Sequence, residues 1–185
     1  SVVIPCLNEK PYISLCLEGL INNGFLPEKL EILVVDGGST DGTLEILKTY
    51  CDKYPFVKHV HNNKQKTPFA LNLGVTNASF NFILIAGAHA EYPKNYLNSL
   101  YNQIQKDGID AIGGALETKT KNNNKTTEAI CFVLSHPFGV GNSTFRTGAS
   151  KLSEVDTVPF GLYKKDIFNE VGFYNEKLIR NHDIE

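Results

Sequence analysis

Short apolar runs alternate with helical patterns from the start of this chain to about residue 116, and this alternation constrains the fold most. EILVVD (Glu31 to Asp36) is apolar through its middle, as a strand covered on both faces must be. Similar runs begin at Ser1, Val57, Phe80 and Ile109, and segments with helical spacing lie between them. The alternation predicts an α/β fold: a Rossmann-like, mostly parallel central sheet with helices on both faces.

Bulk composition excludes several classes of protein. The 185 residues, 42% of them hydrophobic, suffice for one compact core. A net charge of −2 does not indicate a nucleic-acid binder, and no apolar run reaches the roughly 18 residues of a membrane span. The chain begins inside an apolar run and contains no Met, so we expect a fragment of a cytoplasmic protein. The full-length protein could also lie at the inner face of the plasma membrane through its flanking sequence.

The four cysteines do not form a C-x-x-C pair and lie mostly in apolar segments. This distribution argues against a zinc site or a disulfide framework. We expect buried thiols in a reducing compartment.

Polar residues follow each of the first four predicted strands. Ligands of open parallel sheets bind beyond the carboxyl ends of the strands, so these residues should share one edge. They lie in the segments Pro5 to Glu9, Asp36 to Asp41, Asn62 to Lys66 and Gly87 to Glu91.

This edge has the chemistry of a nucleotide site. A carboxylate such as Asp36 can accept the imide N–H of uracil, and small residues let backbone amides approach a ribose or phosphate. We expect Asp36 to contact ligand, whereas Asp41 fits a turn or a helix cap better. GGSTDG matches neither G-x-G-x-x-G nor the P-loop, which argues against nicotinamide enzymes and P-loop NTPases.

Several motifs carry a resemblance to a known family. SVVIPCLNE, EILVVDGGSTDGT, the A-L-N-x-G run at Ala70 to Gly74 and the closing NHDIE resemble the successive signatures of family 2 inverting glycosyltransferases with the GT-A fold. GAHAEYP, HPFGVGNSTFR and VDTVPFGLYKKDIF are similar to the branch typified by succinoglycan-biosynthesis enzymes. The order and spacing of the motifs are more specific than any one of them.

The resemblance implies a nucleotide-sugar donor, most often a UDP-sugar. Pro5, Glu9 and Asp36 would hold the uridine, and either Lys66 or Lys64 would lie near the base or diphosphate. The donor-binding residues implied in this way are Pro5, Asn8, Glu9, Asp36, Gly38, Ser39, Lys66, Gly87, Ala88 and His89.

The family's acidic motif at the end of the fourth strand is altered. Its branch usually has Asp-Ala-His there, whereas this chain has Gly87-Ala88-His89. The resemblance makes His89 the metal ligand, and an imidazole favours Mn²⁺ over Mg²⁺. Glu91 would share a side with His89 in an extended segment. Weak metal dependence, metal-free chemistry and slow turnover all stay open.

The late NHDIE motif implies the catalytic residue. Asp183 would deprotonate the acceptor hydroxyl, with Glu185, Phe160 and Gly161 orienting the acceptor. We expect one catalytic domain over residues 1–185, with 1–116 as the nucleotide-binding half and 117–185 as the acceptor and catalytic half. The expected reaction is inverting sugar transfer to a hydroxyl of a lipid-linked or surface polysaccharide. The alternatives are a sugar-nucleotide-binding pseudoenzyme and a nucleotidyltransferase on a similar fold.

Overall fold

The computed structural model describes residues 1–120, 124–141, 143–148 and 151–179, and Asp183 and Glu185 lie outside them. The strands in these ranges are β1 (Val2–Cys6), β2 (Ile32–Asp36), β3 (Val57–His61), β4 (Phe82–Ile85), β5 (Ala111–Ile112) and β6 (Leu162–Lys164). The helices are α1 (Ile13–Ile21), α2 (Thr43–Lys53), α3 (Thr67–Asn77), α4 (Tyr96–Asp107), α5 (Lys125–Ser135), α6 (Pro137–Val140), α7 (Thr144–Thr147) and α8 (Ile167–Glu170).

The strands form one mixed sheet in the order β3-β2-β1-β4-β6-β5. β1 to β4 run parallel, which brings their carboxyl ends to one edge and confirms the predicted α/β class. β6 is antiparallel to both β4 and β5. The fifth strand is far shorter than the expected run from Ile109 to Leu116, because Gly113 and Gly114 offer no side chains to pack along a strand.

Helices cover both faces of the sheet, as predicted. Side chains alternate along a strand, so Val2 and Ile4 of β1 join one core cluster and Val3 joins the other. The first cluster contains the buried residues of α1, α2 and α4, and the second those of α3 and α8. Nearly all of these side chains are less than 8% exposed. The double coverage explains why β2 is apolar at four successive positions.

Two helices begin without a capping bond from their own N-cap side chain. α3 begins at Thr67, and Lys66 holds its N-cap position without a side-chain capping bond. α4 begins at Tyr96, and the buried side chain of Asn23 accepts a hydrogen bond from the Leu97 amide in its first turn at 2.6 Å. A residue more than seventy positions away from that helix start could not be foreseen from local sequence.

The chain divides into two compact units. The first contains residues 1–113 and the described residues from Val158 onward, and the second contains residues 114–157. These bounds differ from the expected halves 1–116 and 117–185, because β6 returns to pair with β4. The functional division into halves remains a prediction.

The second unit is helical. A capping box starts α5, in which the Asn124 side chain accepts from the Thr127 amide at 2.9 Å and the Thr127 hydroxyl accepts from the Asn124 amide at 3.3 Å. The glycine- and aromatic-rich segment that follows contains the short helices α6 and α7. Phe132 of α5 and Phe138 of α6 are among the exposed apolar side chains of this unit.

Candidate functional site

The strand order of the first unit reverses at the boundary between β1 and β4, because β1 has β2 on one side and β4 on the other. β1 is in register with β2 as far as Cys6 and Asp36, whereas its register with β4 ends at Val3 and Ile85. β1 therefore extends past the end of β4, and half-buried Pro5 lies on the part of β1 that is in register with β2 but not with β4. Open α/β sheets bind ligands where the strand order reverses.

The turn after β2 is built around a buried carboxylate. Asp36 has no solvent exposure and accepts hydrogen bonds from the Gly38 amide at 2.7 Å, from the Ser39 amide at 2.9 Å and from the Ser39 hydroxyl. These contacts support a role in holding the turn. Direct contact of Asp36 with uridine stays a prediction.

Hydrogen bonds that involve side chains join the loop after β1 to the turn after β2 and to the start of α2. Asn8 has a positive φ of 57°, donates its amide to Ser39 Oγ at 2.7 Å and accepts from the Thr40 amide at 2.8 Å. The Glu9 amide donates to buried Thr43 Oγ1 at 2.9 Å. Asn8, Glu9 and Ser39, all predicted site residues, therefore lie together.

Asp41 stabilises the connection between Glu9 and Thr43, in keeping with its predicted role in the turn. Its carboxylate accepts from the Thr43 hydroxyl at 2.5 Å, from the Thr43 amide at 3.0 Å and from the Lys10 amide at 3.1 Å. The hydrogen bond from the Thr43 hydroxyl is the main reason why the pKa of Asp41 lies below its ordinary value.

The third loop approaches the two glycines of this turn. A Cβ added to Gly37 would lie 3.3 Å from the Gln65 Cα and 3.5 Å from Leu7 Cδ1, and one added to Gly38 would lie 3.5 Å from Gln65 Nε2. Gln65 itself has a positive φ of 56°. Leu7 and Gln65 were not among the predicted site residues, although Gln65 lies between the two candidate lysines, Lys64 and Lys66.

Lys64 and Lys66 follow β3 and are both exposed. The ammonium of Lys64 lies 6.0 Å from the centroid of the Phe69 ring, and the Lys66 carbonyl accepts from the Asn62 side chain at 3.1 Å. Both lysines are sequence neighbours of Gln65, which lies against the Gly37–Gly38 turn. The choice between them stays open.

The loop after β4 is held from within. Buried Tyr92 accepts from the Gly87 amide at 2.7 Å, and its hydroxyl lies 3.4 Å from the Gly87 carbonyl. A Cβ on Gly87 would meet the Phe160 ring at 2.9 Å. Phe160 has a positive φ of 51°, and its carbonyl accepts from the Tyr96 hydroxyl at 3.1 Å. The ring therefore occupies the space that a side chain at position 87 needs.

His89 projects from this loop, while its neighbour Ala88 is buried. Its imidazole is 65% exposed, and Nδ1 lies 3.4 Å from Oε1 of Glu9, which is 21% exposed. The Tyr12 ring meets the imidazole edge-on, with centroids 6.4 Å apart. Predicted residues from the first and fourth loops thus come into contact.

Other predicted residues have a packing role or fall outside the described ranges. Gly161 packs closely, because a Cβ there would lie 2.5 Å from Val158 Cγ1, and its carbonyl accepts from the Ile85 amide at 3.0 Å. Asp183 and Glu185 lie outside the described residues, so their roles stay predictions.

Among the described residues, the loops after β1 to β4 do not present a reactive thiol. All four cysteines are free: Cys6 and Cys16 are buried, whereas Cys51 and Cys131 are half-buried. Burial raises the pKa of the Cys6 thiol far above its ordinary value, and the nearby Asp36 and Glu9 carboxylates add to the rise. Burial likewise raises the pKa of Cys16 to about 12. Neither thiol ionises near neutral pH.

Comparison with known proteins decides the family. The model of glycosyl transferase family 2 matches residues 1–172. The chain belongs to this family. Two relatives support the assignment. The first, from Methanococcus voltae, is 33% identical over 92% of this chain and 54% of its own length. It is a dolichyl N-acetyl-α-D-glucosaminyl phosphate 3-β-D-2,3-diacetamido-2,3-dideoxy-β-D-glucuronosyltransferase. The succinoglycan biosynthesis protein ExoA of Rhizobium meliloti is 31% identical over 100% of this chain and 55% of its own.

Solved structures confirm the GT-A-like fold. S. aureus TarS 1-349 in complex with UDP superposes with a TM-score of 0.76 at 20% identity, covering 99% of this chain and 52% of that one. The mannosyltransferase PcManGT from Pyrobaculum calidifontis, in complex with GDP-Man and Mn²⁺, gives a TM-score of 0.68 at 19% identity, covering 94% and 46%.

The family 2 chain spans about half the length of the curated relatives it matches. Within the described residues, none of the helices combines the length and apolar character needed to cross a membrane.

Proposed function

We propose that this protein transfers a sugar from a UDP-sugar to an acceptor hydroxyl, with inversion at the anomeric carbon. The observation that carries the proposal is the contact between the loops after the first and fourth strands, where Glu9 and His89 come within 3.4 Å at the boundary at which the strand order reverses. Membership of glycosyl transferase family 2 and the UDP held by the similarly folded TarS support this donor class.

The turn after β2 would receive the nucleoside. Leu7, which is 45% exposed, packs beside Gly37 and offers an apolar surface at this turn. Asp36 would keep the turn in shape. Lys64 or Lys66 would place a positive charge near the negatively charged diphosphate of the donor.

His89 fits a divalent cation. Its exposed imidazole and the diphosphate oxygens of a donor form a mixed nitrogen and oxygen donor set, which suits Mn²⁺ better than Mg²⁺. When bound, the cation would stabilise the negative charge of the departing nucleoside diphosphate. Among the described residues, no three His, Cys, Asp or Glu side chains cluster as a metal site, so the donor's own oxygens would have to complete the coordination.

Asp183 would act as the general base, as the NHDIE motif implies. Glu185, Phe160 and Gly161 would orient the acceptor. A lipid-linked or surface glycan is the proposed acceptor, in keeping with the dolichyl phosphate in the name of the Methanococcus relative. The protein would work in the cytoplasm or at the inner face of the membrane, where such acceptors are built.

Donor titration with product analysis tests the proposal. UDP-glucose, UDP-GlcNAc and GDP-mannose are titrated by calorimetry with and without Mn²⁺, and UDP release is then measured with an acceptor mixture of lipid-linked glycans. Binding of a UDP-sugar followed by release of UDP is expected. Binding without release would indicate a pseudoenzyme, and pyrophosphate formed from UTP and a sugar phosphate would indicate a nucleotidyltransferase.

The Asp183→Asn variant tests the proposed base. It should lose about 10²–10⁴-fold in transfer rate, because the acceptor hydroxyl would no longer lose its proton to a carboxylate. Donor affinity should stay close to that of the parent protein. Normal turnover would assign the base elsewhere.

A further inference from the structure

We infer that Glu9 and His89 together bind the divalent cation, with Glu9 supplying the carboxylate that the loop after β4 lacks. The inference rests on the proposed function, because the diphosphate of the donor would complete the coordination. It assigns Glu9 to the cation rather than to the uridine.

The distance between the two side chains suits a shared ion. Oε1 of Glu9 lies 3.4 Å from Nδ1 of His89. Two ligands bound at about 2.1 Å and roughly at right angles lie about 3 Å apart, so only a small adjustment would bring both to one cation. The two residues stand 80 positions apart in sequence and come from different strands.

Both side chains project from backbone that is held in place. The Glu9 amide donates to Thr43 Oγ1 at 2.9 Å, and the Glu9 carbonyl accepts from the Ile13 amide at 2.9 Å. On the other side, the residue before His89 is only 2% exposed, and the Tyr12 ring packs against the imidazole. Such backing reduces the entropy lost when the pair binds an ion.

Two other carboxylates of the loops after β1 and β2 are engaged in hydrogen bonds. Asp36 is buried within its turn, and Asp41 holds Thr43 and Lys10. Position 87 has no space for a carboxylate because the Phe160 ring fills it. Of the carboxylates in the described part of the chain, that of Glu9 is within ion-pair distance of His89.

The test measures Mn²⁺ binding rather than turnover. Mn²⁺ is titrated by calorimetry into the protein saturated with UDP, for the parent protein and for Glu9→Gln, His89→Ala and Glu91→Gln. Glu91→Gln is the matched control, since it removes the same charge two residues after His89. Glu9→Gln and His89→Ala should each weaken Mn²⁺ binding about tenfold or more, and Glu91→Gln should not.

Spectroscopy and metal-free binding separate the other outcomes. The electron spin echo of bound Mn²⁺ should show nitrogen coupling in the parent protein and in Glu91→Gln, and lose it in His89→Ala. Unchanged Mn²⁺ affinity in Glu9→Gln would overturn the inference, as would an equal loss of UDP affinity without metal, which would return Glu9 to the uridine. Failure of the parent protein to bind UDP at all would instead contradict the proposed function. Thermal unfolding verifies that each variant is folded.

Discussion

The loops after β1 and β2 differ from the loop after β4 in what their polar side chains do. After β1 and β2, the carboxylates of Asp36 and Asp41 accept hydrogen bonds from loop amides and so fix the shape of the loops. After β4, the loop is shaped by Tyr92 and the Phe160 ring, and the polar group, His89, is left exposed. A carboxylate at the end of a strand is therefore not by itself a ligand contact, since it can serve the backbone instead.

The largest effect is expected from Asp36→Ala, which would break the turn after β2. It leaves the buried amide of Ser39 and its neighbouring hydroxyl without their acceptor, and each unpaired buried group costs about 1–3 kcal/mol. We expect a loss of about 3 kcal/mol in the free energy of unfolding, measured with urea. Asp52→Ala, which removes an exposed carboxylate paired with Lys48, is the control and should cost less than about 1 kcal/mol. Equal losses would contradict the structural role of Asp36.

A smaller effect is expected from Gly87→Ala, which tests the loop after β4. The added methyl group would meet the Phe160 ring at 2.9 Å, and such overpacking costs about 1–3 kcal/mol. In a Phe160→Ala background the same substitution should cost clearly less. A double-mutant cycle of unfolding free energies measures this coupling, and additive effects would show that the ring does not fill the space at position 87.

The smallest effect is expected in the pH dependence of stability, and it tests whether Asp41 stabilises the turn after β2. Folding lowers the pKa of Asp41, chiefly through the Thr43 hydroxyl. The ionised carboxylate therefore contributes stability above its unfolded pKa of about 3.9, and this contribution is lost as the pH falls below that value. Asp41→Asn should destabilise the protein near neutral pH, by an amount that shrinks in acid. A difference from the parent protein that stays constant down to about pH 3 would argue against this link.

Local sequence patterns predicted the frame of this site. The apolar runs of β1, β2 and β4 and the polar residues that follow them predicted a shared edge, because parallel strands place their carboxyl ends together. The turn role of Asp41 could also be predicted, since the bonds it makes with Thr43 are local. The motif GAHAEYP indicated a polar loop after the fourth strand, and this loop carries the exposed His89, whose role as a metal ligand stays a prediction.

Partners distant in sequence escaped prediction. Burial of Asp36 depends on a turn that also binds Asn8, and the occupied space at Gly87 depends on Phe160, 73 positions later. The division into compact units was not predicted either, because β6 pairs with strands far earlier in the chain.

The sequence by itself determined the alternation of strands and helices, the sheet edge that carries the chemistry and the family. The tertiary structure decided which carboxylates remain available there, because availability depends on neighbours brought in by folding. Asp36 is buried among the amides of its own turn and its contact with uridine stays a prediction, whereas Glu9 gains its place beside His89 only when β1 and β4 pair. Side-chain periodicity is a local property, and the contacts that engage or free a polar group are not.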